Sequence, residues 1–294
     1  MILVTGANGH LGRAVIHALL DKGVDAGDII GLVREEDKAL DLKAKGVALR
    51  IGDYDWYTTL VNAFQGVEKL VLVSARDLTS RFEQHENVIT AAKEVGVKHL
   101  MYTSLFDGNN FQHSPFDFVS SSIKGTDSAI RESGIPYTLF KNNLYMELLP
   151  VLIGERLEER GIYLPMGEGK ASYVNRFDIA EAIATVCVQE GHLNKTYNIS
   201  NSEDVSLSEI ASMLSVQSGR YIKYTSPSRE EYMAAMESSG MPHQVIKIFA
   251  AISEAVESGE FQSSSTDLDM LLGRKPISVK QFLRQTYFKV TTVI

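Results

Sequence analysis

Residues 2–12 read Ile2-Leu3-Val4-Thr5-Gly6-Ala7-Asn8-Gly9-His10-Leu11-Gly12, a short apolar strand that breaks into glycines spaced G-x-x-G-x-x-G. The next stretch, Arg13-Ala14-Val15-Ile16-His17-Ala18-Leu19-Leu20, carries apolar residues at helical period, and Gly23 can end it. Such glycine spacing also occurs in ordinary loops, so a purely structural strand-to-helix turn is the plain alternative. A strand before the glycines and a helix behind them favour a dinucleotide pyrophosphate cradle. Gly6 makes the tight turn, Gly9 removes the Cβ that would hold a diphosphate off the backbone, and Gly12 lets the helix pack close to the sheet. The anion then faces free N–H groups around Asn8, Gly9, His10 and Leu11, at the positive end of the helix dipole.

With 294 residues, 44% of them hydrophobic, the chain can bury the core of one large α/β domain and a smaller companion. A net charge of -8 disfavours broad binding to nucleic acid or an anionic membrane, and small-molecule chemistry fits it better. Cys187 is the only cysteine, which excludes an internal disulfide and a multi-cysteine metal site and suits a reducing cytoplasm. It lies in Ala182-Ile183-Ala184-Thr185-Val186-Cys187-Val188, an expected core segment. The first strand begins at residue 2, leaving no room for a signal peptide, and no apolar run approaches the roughly 18 residues of a membrane span. The expectation is a cytoplasmic protein with a small-molecule partner, no bound metal, and a homodimer left open.

Ile29-Ile30-Gly31-Leu32-Val33 reads as a second buried strand and Val47-Ala48-Leu49-Arg50-Ile51 as a third, with a helix over 38–45 between them. Leu70-Val71-Leu72-Val73, Leu100-Met101-Tyr102-Thr103 and Tyr137-Thr138-Leu139-Phe140 follow at helix-separated intervals. Continuous apolar runs alternating with helices mean a parallel sheet buried on both faces. The fold class is α/β, a Rossmann-type doubly wound sheet of about six or more strands. Past residue 145 the pattern loosens into a charged helix over 155–160, a turn region over 161–169, a helix over 176–188 and the strand Thr196-Tyr197-Asn198-Ile199. Ser206-Leu207-Ser208-Glu209 is a capping box opening a helix over 207–218, a strand over 221–225 follows, and the C-terminal quarter is mostly helical. The chain divides into a dinucleotide-binding part, 1–148, and a smaller substrate-binding or lid part, 149–294, with interleaving at the boundary open. That second part is expected over the carboxyl ends of the strands, where open α/β sheets bind ligands.

The tip of the second strand is Val33-Arg34, with no acidic residue in the place that reads ribose hydroxyls, which points to a 2′-phosphate and hence to NADPH, NADH remaining possible. Arg34 offers a planar fork and Lys38 a second cation one helical turn later, although Glu35, Glu36 and Asp37 crowd the same loop and Arg34 also suits a solvated surface. Asp53, after the third strand, is placed to accept from an adenine amino group. Val73 and Ser74-Ala75 close the fourth strand, and Thr103 with Ser104 the fifth, where a small backbone lies against ribose or pyrophosphate. Asp53 and Ser74 equally suit turns.

Several segments carry a family resemblance: Ile2 to Gly12, Val33-Arg34 with Lys38, Gly46-Val47 into Gly52-Asp53-Tyr54, Phe64 to Leu70, and Ala91 to His99. It continues through Ser133-Gly134-Ile135-Pro136-Tyr137-Thr138, Lys141-Asn142, Tyr145, and Gly191-His192 with Lys195-Thr196-Tyr197-Asn198. These closely resemble the atypical short-chain dehydrogenase/reductases of the NmrA-like group, in particular its bacterial quinone and triphenylmethane reductases. The resemblance covers nearly the whole chain. It implies NADPH as coenzyme and direct hydride transfer to a flat conjugated acceptor such as a quinone.

Orthodox short-chain dehydrogenases use Tyr-x-x-x-Lys on a helix. Tyr137 and Lys141 have that spacing, but they read as strand, where such residues stand about 13 Å apart at roughly 3.3 Å per residue. The helix where the dyad belongs, near Ser120 to Ile130, has Lys124, with Ser120 in the tyrosine's place. A standard carbonyl reductase or sugar epimerase therefore lacks its acid. A quinone or cationic dye tolerates the lack, because water supplies any proton and catalysis reduces mostly to orientation, worth about 7 to 11 kcal/mol. The candidate catalytic residues are Asn142, Tyr145 and Lys124, with Lys141, Ser104 and Phe106 beside them. Asn142 suits holding the carboxamide or a substrate oxygen; Tyr145 equally suits a half-buried core position. His113 could donate a proton from its loop or simply be solvated. The rival functions are a non-catalytic NAD(P)-sensing regulator and, less favoured, a nucleotide-sugar epimerase.

Overall fold

The computed structural model describes residues 1–108, 114–154, 156–263 and 265–288. Strands and helices alternate at first: β1 (Ile2–Val4), α1 (His10–Asp21), β2 (Ile29–Val33), α2 (Leu40–Ala44), β3 (Ala48–Ile51) and α3 (Tyr57–Ala63). The alternation continues with β4 (Lys69–Leu72), α4 (Arg81–Glu94), β5 (His99–Leu105), α5 (Asp117–Glu132) and β6 (Tyr137–Asn142). Then come α6 (Leu149–Ile153), α7 (Leu157–Arg160), β7 (Ile162–Tyr163), β8 (Lys170–Ala171), α8 (Arg176–Val188) and β9 (Lys195–Ile199). The rest is β10 (Val205–Ser206), α9 (Leu207–Ser218), β11 (Tyr224–Thr225), α10 (Arg229–Ser238), α11 (His243–Glu257), α12 (Leu268–Leu272) and α13 (Val279–Tyr287).

Seven strands form one parallel sheet in the order β3-β2-β1-β4-β5-β6-β9. The chain winds outward from β1 through β2 to β3, then from β4 through β5 to β6 on the other side. The direction of winding reverses between β1 and β4, which opens a crevice at the carboxyl ends there. Every residue of β2 is buried, as a strand covered on both faces requires. Alternate side chains feed two cores. Ile2, Val4, Val71 and Phe140 meet α1, α8 and α12 on one face, while Leu3, Leu70, Tyr102 and Leu139 meet α3, α4 and α5 on the other. α8 and β9, both beyond residue 148, thus belong to the sheet layers, β9 pairing with β6 from Thr138↔Lys195 to Asn142↔Ile199. Cys187 packs in the α1/α8 core with its Sγ 3.5 Å from Met101 Sδ, and burial pushes its thiol up to about 12.

A third core joins α6, α9, α11 and α13 through Leu149, Leu214, Phe249 and Phe282, and Phe106 and Phe116, which flank the connection from β5 to α5, enter it. This anchors the C-terminal helices beside the carboxyl ends of the central strands. The capping box expected at Ser206 with Glu209 forms, and Ser228 with Glu231 forms a second at the start of α10. Two expectations change. The strand over 221–225 is only the dipeptide β11, because its partner β7 is itself two residues long. The helix over 38–45 opens as a tighter 3-10 turn, Glu36–Ala39, before α2.

Candidate active site

At the end of β1 the chain turns through Gly6 at φ +60°, left-handed backbone that glycine adopts freely. A Cβ on Gly12 would lie 2.4 Å from Gly6 O and 2.8 Å from Thr5 O, so only glycine lets α1 come this close to the turn. Gly9 is the N-cap residue of α1, and no side chain caps its N–H groups. His10 and Leu11 form the first turn, exposed and buried respectively. Uncapped first-turn amides at the positive helix end are the kind of groups that can receive an anion. Beside them Asn8 donates through Nδ2 to Glu35 O at 3.2 Å, and its Oδ1 is buried with no partner among the described residues.

Past β2 the charges sort themselves. Glu35 takes the Lys38 ammonium at 2.7 Å, a bond that holds the Glu35 carboxyl below its ordinary range. Arg13 bonds Asp41 and reaches Lys38 O at 2.9 Å. Arg34 is exposed, and no ion pair or hydrogen bond commits its guanidinium among the described residues. Asp53 sits just past β3, one carboxylate oxygen accepting from Asp55 N at 3.2 Å.

Three successive amides of the loop leaving β4 are held by side chains. Val73 N donates to Thr5 Oγ1 at 2.9 Å, Ser74 N to Thr103 Oγ1 at 2.9 Å and Ala75 N to His85 Nε2 at 2.9 Å. The Tyr54 hydroxyl, whose pKa burial pushes up, bonds Thr5 Oγ1 and Val73 O. Thr103, expected at the coenzyme, uses its hydroxyl on this loop. Nothing local in the sequence marks Thr5, Tyr54 or His85 for this task, although Thr5 and Tyr54 stand at strand ends beside Gly6 and Asp53.

Successive residues of β6 face opposite ways. Lys141 turns towards α5, where its ammonium lies 2.6 Å from Asp127 Oδ2 and 2.8 Å from Asp107 Oδ2. Ser104 Oγ donates to the same Asp127 oxygen at 3.0 Å. Burial raises the Asp127 pKa, opposed first by the Lys141 charge. Asn142 turns the other way: Nδ2 donates to the Tyr145 hydroxyl at 3.3 Å, and Oδ1 is buried without a partner among the described residues. Burial pushes the Tyr145 phenol up to about 12. Phe106 packs into the third core, its N–H on Asn142 O at 2.9 Å.

Tyr137 and Lys141 lie on a strand with separate partners, Arg131 for the phenol and the two aspartates for the ammonium, so they are no dyad. On α5 Ser120 Oγ donates to Asp117 Oδ1 at 3.2 Å, and the Lys124 ammonium stands 3.8 Å from the same oxygen. Lys124 lines a cavity of about 330 Å³ with Asp107, Asp127, Arg131, Lys141 and Thr196. The structure therefore pairs Asn142 with Tyr145 and sets Lys124 with Lys141 across β6 from them. His113 lies outside the described residues.

The NmrA-like family model matches residues 1–283. The chain is 36% identical over 274 residues to quinone oxidoreductase 2 of Escherichia coli, covering 93% of this chain and 94% of the relative. It is 30% identical over 246 residues to the NAD(P)H azoreductase of Xenophilus azovorans, covering 83% of each. The crystal structure of Citrobacter sp. triphenylmethane reductase complexed with NADP(H) matches with a TM-score of 0.89 at 37% identity, over 97% of this chain and 99% of that one. A glycine cradle beneath an uncapped helix, a doubly wound parallel sheet and this likeness along almost all of the sequence agree: the chain belongs to the NmrA-like family.

Proposed function

We propose that this protein is an NADPH-dependent oxidoreductase that reduces a flat conjugated acceptor, a quinone or a cationic dye, by direct hydride transfer. The observation that carries the reading is the pair of ligand-seeking features at the two sides of the crevice: uncapped amides of α1 over Gly12, and the buried Oδ1 of Asn142 at the end of β6, unpartnered among the described residues. β1 and β6 are three strand positions apart, about 14 Å at roughly 4.8 Å each, which suits a dinucleotide laid with its diphosphate on α1 and its carboxamide at Asn142. The adenosine end then falls over β2 and β3, where Arg34 meets a 2′-phosphate, Lys38 adds positive charge and Asp53 faces the adenine. Gly6, Asn8, Gly9, His10 and Leu11 hold the diphosphate, and Val73, Ser74, Thr103 and Ser104 form or brace the wall beside the ribose. The names of the relatives, a quinone oxidoreductase, an azoreductase and a triphenylmethane reductase, share conjugated acceptors and support the substrate class.

Reduced nicotinamide, when bound, supplies the hydride. Asn142 fixes the carboxamide through an acceptor oxygen that has no donor among the described residues, and Tyr145 holds the Asn142 amide by accepting from its Nδ2. A phenol with a pKa near 12 keeps its proton at neutral pH, so Tyr145 orients rather than titrates. Lys124, expected among the catalytic residues, lies with Lys141 on the α5 side of β6, so any positive charge it supplies acts from across the strand and not at the carboxamide. A dye cation needs no proton once the hydride arrives; a quinone needs one, taken from solvent. We also read 1–148 as the coenzyme part and 149–294 as the acceptor part, interleaved where α8 and β9 rejoin the sheet.

Loss of reduced-nicotinamide absorbance with a panel of quinones and dyes tests this. Turnover with NADPH supports the reductase; tight NADPH binding without turnover supports a coenzyme-sensing regulator instead.

A further inference from the structure

Two side chains on α4, one helical turn apart, grip one residue of the loop after β4. The imidazole of His85 is fully buried and its Nε2 accepts from Ala75 N at 2.9 Å. Arg81 Nε donates to Ala75 O at 2.9 Å, so the N–H and the C=O of the same residue are both held from α4. The other sides of these groups reach α5: His85 Nδ1 meets Thr126 Oγ1 at 2.9 Å, and Arg81 Nη1 meets Val119 O at 3.2 Å and Ser122 Oγ at 3.4 Å. Because Thr126 gives its own proton to Ser122 O at 2.8 Å, it accepts from His85, which fixes the ring as the neutral Nδ1–H form. Burial, then the Arg81 charge, hold the imidazole pKa down to about 3, so the acceptor at Nε2 persists through the neutral range. The edge of the Tyr102 ring, centroid 5.3 Å away, packs against the imidazole, and its hydroxyl stands 3.5 Å from the same Nδ1, farther than Thr126 Oγ1.

We propose that His85 and Arg81 are positioning residues for the coenzyme: they set the Ala75 peptide, and with it the wall at Val73 to Ala75 against which the ribose of NADPH rests. Thr5 and Thr103 fix the two preceding amides from the sheet, but among the described residues only His85 and Arg81 hydrogen-bond Ala75, the residue where the loop leaves the strand for the crevice. Without them the loop keeps its root and loses its tip. The inference rests on the reductase reading above for the identity of the ligand.

The test is a pair of neutral polar replacements that divide the two functions of the ring. In His85→Gln the longer side chain carries an acceptor to the Nε2 position. In His85→Asn the amide reaches the Thr126 side and stops short of Ala75. H85N should raise KM for NADPH about tenfold, the scale of one hydrogen bond, with kcat at saturating NADPH and KM for the acceptor within about twofold of wild type. H85Q should hold KM for NADPH within about threefold. An H85N protein with wild-type KM for NADPH, or equal losses in both variants spread over kcat and both KM values, overturns the proposal. Nitrogen NMR of the wild-type protein decides independently of whether H85N folds: His85 should show a pyridine-type Nε2 at neutral pH, and NADPH should shift both that signal and the Ala75 amide. An Nε2–H tautomer, or no shift at either position on saturation with NADPH, overturns it as well. Wild-type protein that binds NADPH with these shifts but reduces no acceptor leaves the clamp standing and removes the reductase reading instead.

Discussion

Lys141 Nζ stands 2.6 Å from Asp127 Oδ2, a buried ion pair that ties β6 to α5 directly beneath the ends of the strands that carry Ser104 and Asn142. Burial alone would drive Asp127 towards its neutral form; the lysine restores the charge in part, and the pair stands or falls together.

Lys141→Met should therefore cost about 3 to 5 kcal/mol of stability at neutral pH, because it strands a buried carboxylate. The raised Asp127 pKa means the native state binds that proton more tightly than the unfolded chain, a burden present above the native pKa and relieved as pH falls. The K141M variant should regain part of its loss between neutral and mildly acid pH, and K141M with Asp127→Leu should recover much of it at neutral pH. Urea unfolding at several pH values checks both; a K141M loss independent of pH contradicts the assignment.

Among the described residues Arg34 makes no ion pair or hydrogen bond and feels the Glu35 carboxylate only through space, while Lys38 is engaged by Glu35 directly. Arg34→Ala should raise KM for NADPH tenfold or more, at about 1.5 to 3 kcal/mol for a charge-assisted bond, and leave NADH use nearly unchanged. Initial rates with both coenzymes decide; equal losses with each mean that Arg34 does not read the 2′-phosphate.

The sheet was legible because a strand covered on both faces has no choice but to be apolar throughout, as Ile29 to Val33 is. The glycine cradle was legible because Gly6, Gly9 and Gly12 act through backbone shape, which is fixed by spacing along the chain. The supporting network was not. Ser104 meets Asp127 across 23 residues and Tyr54 meets Thr5 across 49, and nothing local marks a histidine on α4 as the acceptor for a loop amide. β11 failed as a five-residue strand for the same reason: strand length is set by the partner, and Ile162–Tyr163 offers only two residues.

On the proposed function Asn142→Leu should lower kcat/KM about ten- to a hundredfold, since it removes the proposed carboxamide acceptor and the hydrogen bond to Tyr145. Tyr145→Phe should cost less than about tenfold and leave the pH profile of kcat unaltered, because the phenol with its pKa near 12 carries its proton throughout. A new pH dependence in Y145F contradicts the orienting role. The measurement is kcat and kcat/KM against pH.

His99 is buried, its Nε2 2.8 Å from Thr138 Oγ1, and burial, then Lys69 and His192, lower its pKa from 6.5 to about 4. A depressed histidine pKa means the unfolded chain takes the proton first, so the stabilisation is full above about pH 6.5 and is lost as pH falls towards 4. The loss should be on the order of 3 kcal/mol for this group, and His99→Gln should flatten that part of the curve. Equilibrium unfolding across the range gives the slope; identical slopes in H99Q and wild type contradict the prediction.

Following the label from NADPH deuterated at nicotinamide C4 into a triphenylmethane dye tests the central claim most directly. Deuterium from one face of the ring should appear at the central carbon of the reduced dye, without dilution by solvent hydrogen. A reduced dye carrying solvent hydrogen there, or no oxidation of NADPH with any dye or quinone, would contradict direct hydride transfer by this protein.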